Sequence, residues 1–163
     1  MLKNGFKELN RLKVLPEWID YNGHMNVAFY VMAFDQSLDE LLDEIELTRA
    51  YRDASNCTVY VLETHVSYLQ EVKEGDPLLI TQRVIDVDEK RIHLFLEMYH
   101  ETEGFLAATS EQMILHIDAS GPKAAPMPTH ILDNLNQLQK EQNAYPMPER
   151  VAAQIGIRRK KSA

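Results

Sequence analysis

The feature that most constrains this chain is a change of hydrophobic period about a third of the way along it. Over residues 27–46, Val31, Leu38, Leu41, Leu42 and Ile45 recur at helical spacing, while Asp39, Glu40, Asp43 and Glu44 fill the opposite face. Asn26, just ahead of this run, has the side chain of a helix N-cap. A second short helical piece falls around residues 48–54, and the period then drops to two. The segments "TVYVLETHVSYLQEV", "LLITQRVIDV", "IHLFLEMYHE" and "FLAATSEQMILHID" read as long strands, punctuated by "EGDP", "DEKR" and "TEG". In the third, Ile92, Leu94, Leu96 and Met98 share one face. Four long strands with short connections predict an antiparallel meander. Residues 6–14 form a further short strand, and "ASGPKAAPMP" ends the sheet before a closing helix, "THILDNLNQLQKEQ". The expectation is an α+β fold with the long helix packed on one sheet face.

At 163 residues the chain fits one domain, placed at residues 1–145, with a partly flexible C-terminal extension at 146–163. A composition 45% hydrophobic and 26% charged is enough to bury a core. The net charge of −8 opposes non-specific binding to nucleic acid, which needs a basic field against the phosphates. Cys57 is the single cysteine, so an internal disulfide is excluded; it reads as a small buried residue in a reducing compartment. No apolar run approaches the ~18 residues of a membrane span. A soluble cytoplasmic protein is expected.

The stretch "WIDYNGHMNVAFY", residues 18–30, carries the densest chemistry. The first amides of a helix lack internal acceptors and sit at the positive end of its dipole. Gly23 permits close approach of another group to the backbone, and Asp20 stands three residues before it. Amides around Gly23, His24 and Met25 could polarise a carbonyl oxygen while the carboxylate attacks it or activates water. The same residues also fit an Asx-turn at Asp20 and Asn22 followed by a cap at Asn26. Physical chemistry alone leaves both readings open.

The motif "DYNGHMNVAFY" resembles the signature of hotdog-fold acyl-CoA thioesterases of the 4-hydroxybenzoyl-CoA thioesterase-like branch, through Asp20, Gly23, His24, Asn26 and Tyr30. "ETHVSYLQEVKEGDPLLI" resembles the same family's strand with its Tyr, here Tyr68, followed by Gly-Asp and another strand. The likeness runs over roughly residues 6–128 and implies a hotdog fold, a long helix wrapped by an antiparallel sheet. It implies thioester hydrolysis with Asp20 as nucleophile or general base, and an oxyanion site at the Gly23, His24 and Met25 amides. His24 and Asn26 would support the turn or the substrate. It implies no separate cofactor, coenzyme A being part of the substrate, and a homodimer or dimer of dimers with active sites at the interface. Within the family the stretch "WIDYNGHMNVAFYVMAFD" looks most like the thioesterases of carnitine breakdown, which act on betainyl-CoA. Enoyl-thioester hydratases on the same fold are disfavoured, because their Asp and His stand five apart around a proline. A non-catalytic acyl-thioester binding module is the alternative.

Trp18, Tyr21, Tyr30 and Tyr68 could form an aromatic cage for a quaternary ammonium, line an ordinary acyl pocket, or fill the core. By strand alternation Glu63 and His65 share a face with Val59 and Val61; Glu63 would need a partner or a role if that face packs on the helix, or would stand solvated near an edge. Arg83, Lys90, Arg91 and Lys123 are the candidate contacts for coenzyme A phosphates. The basic end "RRKKSA" reads as a disordered end, and His93, Glu97, His116 and Asp118 as ordinary alternating strand positions.

Overall fold

A computed structural model describes residues 4–155; the basic end lies outside these described residues. The strands are β1 (Lys7–Lys13), β2 (Cys57–Tyr68), β3 (Pro77–Val87), β4 (Arg91–His100), β5 (Leu106–Asp118) and the two-residue β6 (Lys123–Ala124). The helices are α1 (Val27–Glu44), α2 (Arg49–Ser55) and α3 (Thr129–Gln142). All the strands join one antiparallel sheet in the order β1-β3-β4-β5-β2, with β6 on β5. This is the expected α+β hotdog arrangement, with one correction. Only β3, β4 and β5 form a meander, because β2 pairs with β5 at the far edge. The connection 69–76 makes this possible. The amides of Leu69 and Gln70 both donate to the Ala107 carbonyl (2.9 and 3.1 Å), turning the chain off β5. At the other side of the sheet Val14 donates to Asp76 (3.0 Å) and Gly75 to Val14 (2.9 Å), docking the same connection beside β1.

Strand alternation gives the sheet two unlike faces. Ile80, Val84, Leu94, Leu96, Met98 and Ile114 lie in the same buried core as Ala33, Phe34, Leu38 and Leu41 of α1. Each large side chain buried there stabilises the fold by about 1.5–3 kcal/mol. Ion pairing of Lys7 with Glu44 also ties β1 to α1. The outer face carries a separate small cluster of Phe6, Ile85 and Phe95, on which Val151 packs.

The chain after α3 is strapped over this outer face. Arg83, only 1% exposed, donates from Nη1 to the Pro146 carbonyl (2.6 Å) and from Nη2 to the Tyr145 carbonyl (2.9 Å). Further on, the Ala152 amide donates to both carboxylate oxygens of Glu111 (2.9 and 3.1 Å). At the C-terminus of α3 the fully buried Gln142 mimics a strand neighbour for β3. Its Oε1 accepts from the Val84 amide (2.8 Å) and its Nε2 donates to the Gln82 carbonyl (3.0 Å). Replacing Gln142 with Ala should leave the Val84 amide buried and unpaired, lowering stability by about 1–3 kcal/mol in urea unfolding.

Candidate active site

Residues 18–26 form a tight hairpin that delivers the chain to α1. Ile19 faces Met25 across an antiparallel bridge. On either side of it the Asp20 amide donates to the His24 carbonyl (3.0 Å) and the Asn26 amide to the Trp18 carbonyl (2.9 Å). The Gly23 amide closes the tip onto the Asp20 carbonyl (3.0 Å), with Gly23 at φ +81°, a region that favours glycine. One carboxylate oxygen of Asp20, Oδ1, accepts from the Asn22 amide (2.8 Å), and Oδ1 of Asn26 accepts from the Ala28 amide (3.0 Å). The Asx-turn and the helix cap are therefore both present, and together they fix Asp20 one short hairpin from the start of α1.

The amides divide differently from the expectation. The Gly23 amide is taken by the turn itself, and the Met25 amide donates to the Val72 carbonyl (2.9 Å) in the connection 69–76. Neither is free to hold an oxyanion, because the hairpin and its docking each need a donor. Among the described residues, the amides of His24 and Val27 have no protein acceptor.

His24 sits over the same connection, its Nε2 3.0 Å from Oε2 of Glu71. Glu71 is the residue that sequence reasoning missed, since nothing local in "YLQEVKEG" marks it as a partner for a histidine so distant in sequence. Tyr30 is buried on α1 and its hydroxyl meets the backbone at Val72, with burial pushing the phenol up from its usual range. Its ring packs edge-on against Tyr68 (centroids 5.3 Å apart), whose hydroxyl reaches the Val27 carbonyl at 3.4 Å.

Three of the expected contacts need correction. Trp18 is only 5% exposed and stacks on Phe29 (centroids 5.7 Å apart, planes at 12°), so its ring is packing beneath the hairpin rather than an open cage wall. Tyr21, at the hairpin tip, is 96% exposed and joins none of the other rings. Glu63 lies on the outer face. A bulge between Val61 and Glu63 breaks the alternation, so Val61 pairs with Ile114 on the inner side while Glu63 and His65 pair with Met113 and Glu111 on the outer side. Exposed there, Glu63 needs no buried partner. It borders a second cavity with His65, His93 and Glu111, where His93 Nε2 lies 2.7 Å from Glu111.

Of the basic candidates, Arg83 is buried and occupied by the strap, so it is unavailable to a phosphate. Arg91 and Lys90 pair with Asp88 and Glu89 in the β3–β4 turn, and Lys123 lies exposed on β6. His116 is also more than an ordinary strand position. It is buried, with Nε2 2.9 Å from the Tyr51 hydroxyl and Nδ1 2.8 Å from the Ala125 carbonyl. Among the described residues no group of three His, Cys, Asp or Glu could hold a metal ion, and no helix is long and apolar enough to cross a membrane.

Comparison with known proteins places this geometry. A family model described as the thioesterase-like superfamily matches residues 14–135. The betainyl-CoA thioesterase of Pseudomonas aeruginosa is 40% identical over 144 residues, covering 88% of this chain and 91% of the relative. An L-carnitine dehydrogenase/betainyl-CoA thioesterase of Rhizobium meliloti is 35% identical over 147 residues, 90% of this chain but 29% of that longer protein. Among solved structures, a Staphylococcus aureus protein determined in complex with CoA superposes with a TM-score of 0.87 at 29% identity, covering 93% of this chain and 96% of that one.

The hairpin's dependence on its glycine is directly measurable. A Cβ at Gly23 would meet nothing within 4 Å, so Gly23→Ala should incur only the backbone penalty of a positive φ, about 1–2 kcal/mol. Gly104, at φ +77° and equally open, should lose a similar amount when changed to Ala, as read by thermal unfolding.

Proposed function

The chain belongs to the thioesterase-like superfamily and is an acyl-CoA thioester hydrolase, and on that premise we propose betainyl-CoA as its substrate and Asp20 as its catalytic carboxylate. The observation that carries the assignment of Asp20 is the hairpin: three backbone hydrogen bonds, with the Asn22 amide on its Oδ1, fix a carboxylate beside the start of α1. The carboxylate activates water or attacks the thioester carbonyl itself. The developing oxyanion is held by the His24 amide, helped by the positive end of the α1 dipole. The carbon–sulfur bond then breaks and coenzyme A leaves; betaine is released in the same step when water is the nucleophile, or when water hydrolyses the mixed anhydride left on Asp20 when the carboxylate is. His24, held by Glu71, and Asn26, capping α1, keep the hairpin in place.

The trimethylammonium group is read against Tyr68, whose ring remains half in solvent beside the buried Tyr30. Support for this acyl group comes from the 40% identity to the Pseudomonas aeruginosa enzyme along nearly its whole length. The working form is a homodimer. The free edge of β2 exposes Tyr60, Val61 and Leu62, an apolar run that suits pairing with a second copy. The compartment is the cytoplasm, consistent with a single free cysteine.

Thiol release from a panel of acyl-CoA thioesters tests this reading. Betainyl-CoA should lead the panel, ahead of its neutral isostere 3,3-dimethylbutyryl-CoA. Asp20→Asn should cut turnover about 10²–10⁴-fold with the fold intact. Near-wild-type turnover in that variant removes Asp20 from the chemistry, and binding of every thioester without hydrolysis would establish the binding-module alternative. Tyr68→Ala should weaken the cationic substrate about 3–30-fold more than the isostere, the range that cation–π contacts supply. An equal loss on both substrates rules out a cage at Tyr68.

A further inference from the structure

Tyr68 closes β2, and three residues later Glu71 stands in the connection 69–76. Both return to the junction of hairpin and helix. The Tyr68 hydroxyl reaches the Val27 carbonyl at 3.4 Å, and Oε2 of Glu71 lies 3.0 Å from His24 Nε2. Next to Glu71, the Val72 carbonyl accepts from the Met25 amide (2.9 Å), and the Val72 backbone meets the Tyr30 hydroxyl. Tyr30 packs edge-on to Tyr68, so one aromatic pair and one carboxylate border the junction to which the hairpin delivers Asp20.

The ring and the carboxylate are both open to a ligand, Tyr68 being 48% exposed and the Glu71 side chain 70%. Among the described residues no lysine or arginine pairs with Glu71; its partner is His24. A neutral imidazole donating from Nε2 satisfies one carboxylate oxygen without cancelling the charge. That charge is felt nearby. Burial pushes the Tyr30 phenol up, its bond to the Val72 backbone pulls it down, and Glu71 adds to the rise. For a neutral acyl group such a charge is a handicap. In the proposed reaction negative charge builds on the thioester oxygen at the His24 amide, and a carboxylate beside the same residue opposes it. An acyl group that carries a positive charge reverses the balance.

We propose that Glu71 is the residue that selects the charge of the acyl group: its carboxylate attracts the trimethylammonium of a betainyl thioester while the open face of Tyr68 takes the methyl groups. This role rests on the betainyl-CoA reading and supplies a source of selection beyond the ring. A quaternary ammonium has no N–H, so its attraction to a carboxylate is purely Coulombic and needs no free oxygen in a set direction. Glu71 can therefore hold His24 and face the cation at once. The same charge turns away acyl groups that end in a carboxylate, which a tyrosine ring alone does less sharply.

Betainyl-CoA and its neutral isostere 3,3-dimethylbutyryl-CoA share coenzyme A, so the ratio of their kcat/KM values isolates the charge of the acyl group. Glu71→Gln keeps an acceptor for His24 and should lower that ratio about 3–10-fold, the range of a charge pair partly shielded by solvent. A merely structural role would slow both substrates alike and leave the ratio where it was. The parent ratio should also fall as ionic strength rises, a measurement that needs no variant. Contact with the Tyr68 ring alone would give a ratio that salt barely moves. A ratio unmoved by Glu71→Gln, or unmoved by salt, overturns the role of Glu71 and leaves betainyl-CoA standing as the substrate. A parent enzyme with no preference for betainyl-CoA over the isostere overturns the substrate reading, and the role of Glu71 with it.

Discussion

The burial of α1 against the concave face of the sheet is the constraint on which the rest depends. Ala33, Phe34 and Leu41 are fully buried, so the helix can neither rotate nor slide without opening voids in a close-packed core. Fixing the helix fixes its first turn, and with it the place where residues 18–26 must arrive. The connection 69–76 then passes that first turn and locks it twice, through Met25 to Val72 and through His24 to Glu71. Because the same connection carries the chain from β2 to β3 across the sheet, sheet order and hairpin position are set by one segment.

The two faces of the sheet do different work. Inward positions are mostly aliphatic and supply cohesion, with Gln82, Ser110 and Gln112 as buried polar exceptions. Outward positions of β3 to β5 include Thr81, Arg83, Glu97, Tyr99 and Glu111, a polar row that an open antiparallel sheet would simply show to water. Here the strap after α3 covers part of it. Arg83 and Glu111 serve as its anchors, one through guanidinium donors and one through carboxylate acceptors. A covered polar face must satisfy its groups or leave a cavity, and the unpartnered Thr81 hydroxyl marks where satisfaction is incomplete.

The elements were legible because their periods are strong: α1 spans Val27–Glu44 against an expected 27–46, and α3 spans Thr129–Gln142 as read. Strand order was less legible, since residues 69–76 contain nothing that distinguishes a hairpin from a crossing. The hairpin at Asp20 was visible from Gly23 and the flanking polar residues, because turn chemistry is local. Its amide bookkeeping was not, since the acceptor for Met25 lies in Val72, far along the chain. Glu63 was misplaced for a single reason: a bulge adds one residue, and one residue moves a side chain to the other face. Trp18 was read as a binding ring because sequence registers a ring's presence but not its stacking partner, Phe29.

The proposed catalytic carboxylate is held rigid by means other than burial. Asp20 lies on a half-exposed hairpin, yet its own amide and carbonyl, the Asn22 amide and the Asn26 amide all participate in closing that loop. A side chain positioned by backbone hydrogen bonds on both flanks loses little entropy when substrate arrives, and preorganisation of this kind is where much of a hydrolase's advantage over water resides. One oxygen of the carboxylate is engaged by Asn22, which orients the group and leaves the other oxygen for water or the thioester carbon. The motif's alternating polar residues thus divide the labour. In the proposed reaction Asp20 presents the reactive oxygen, Asn22 orients it, His24 anchors the tip to Glu71, and Asn26 caps the start of α1.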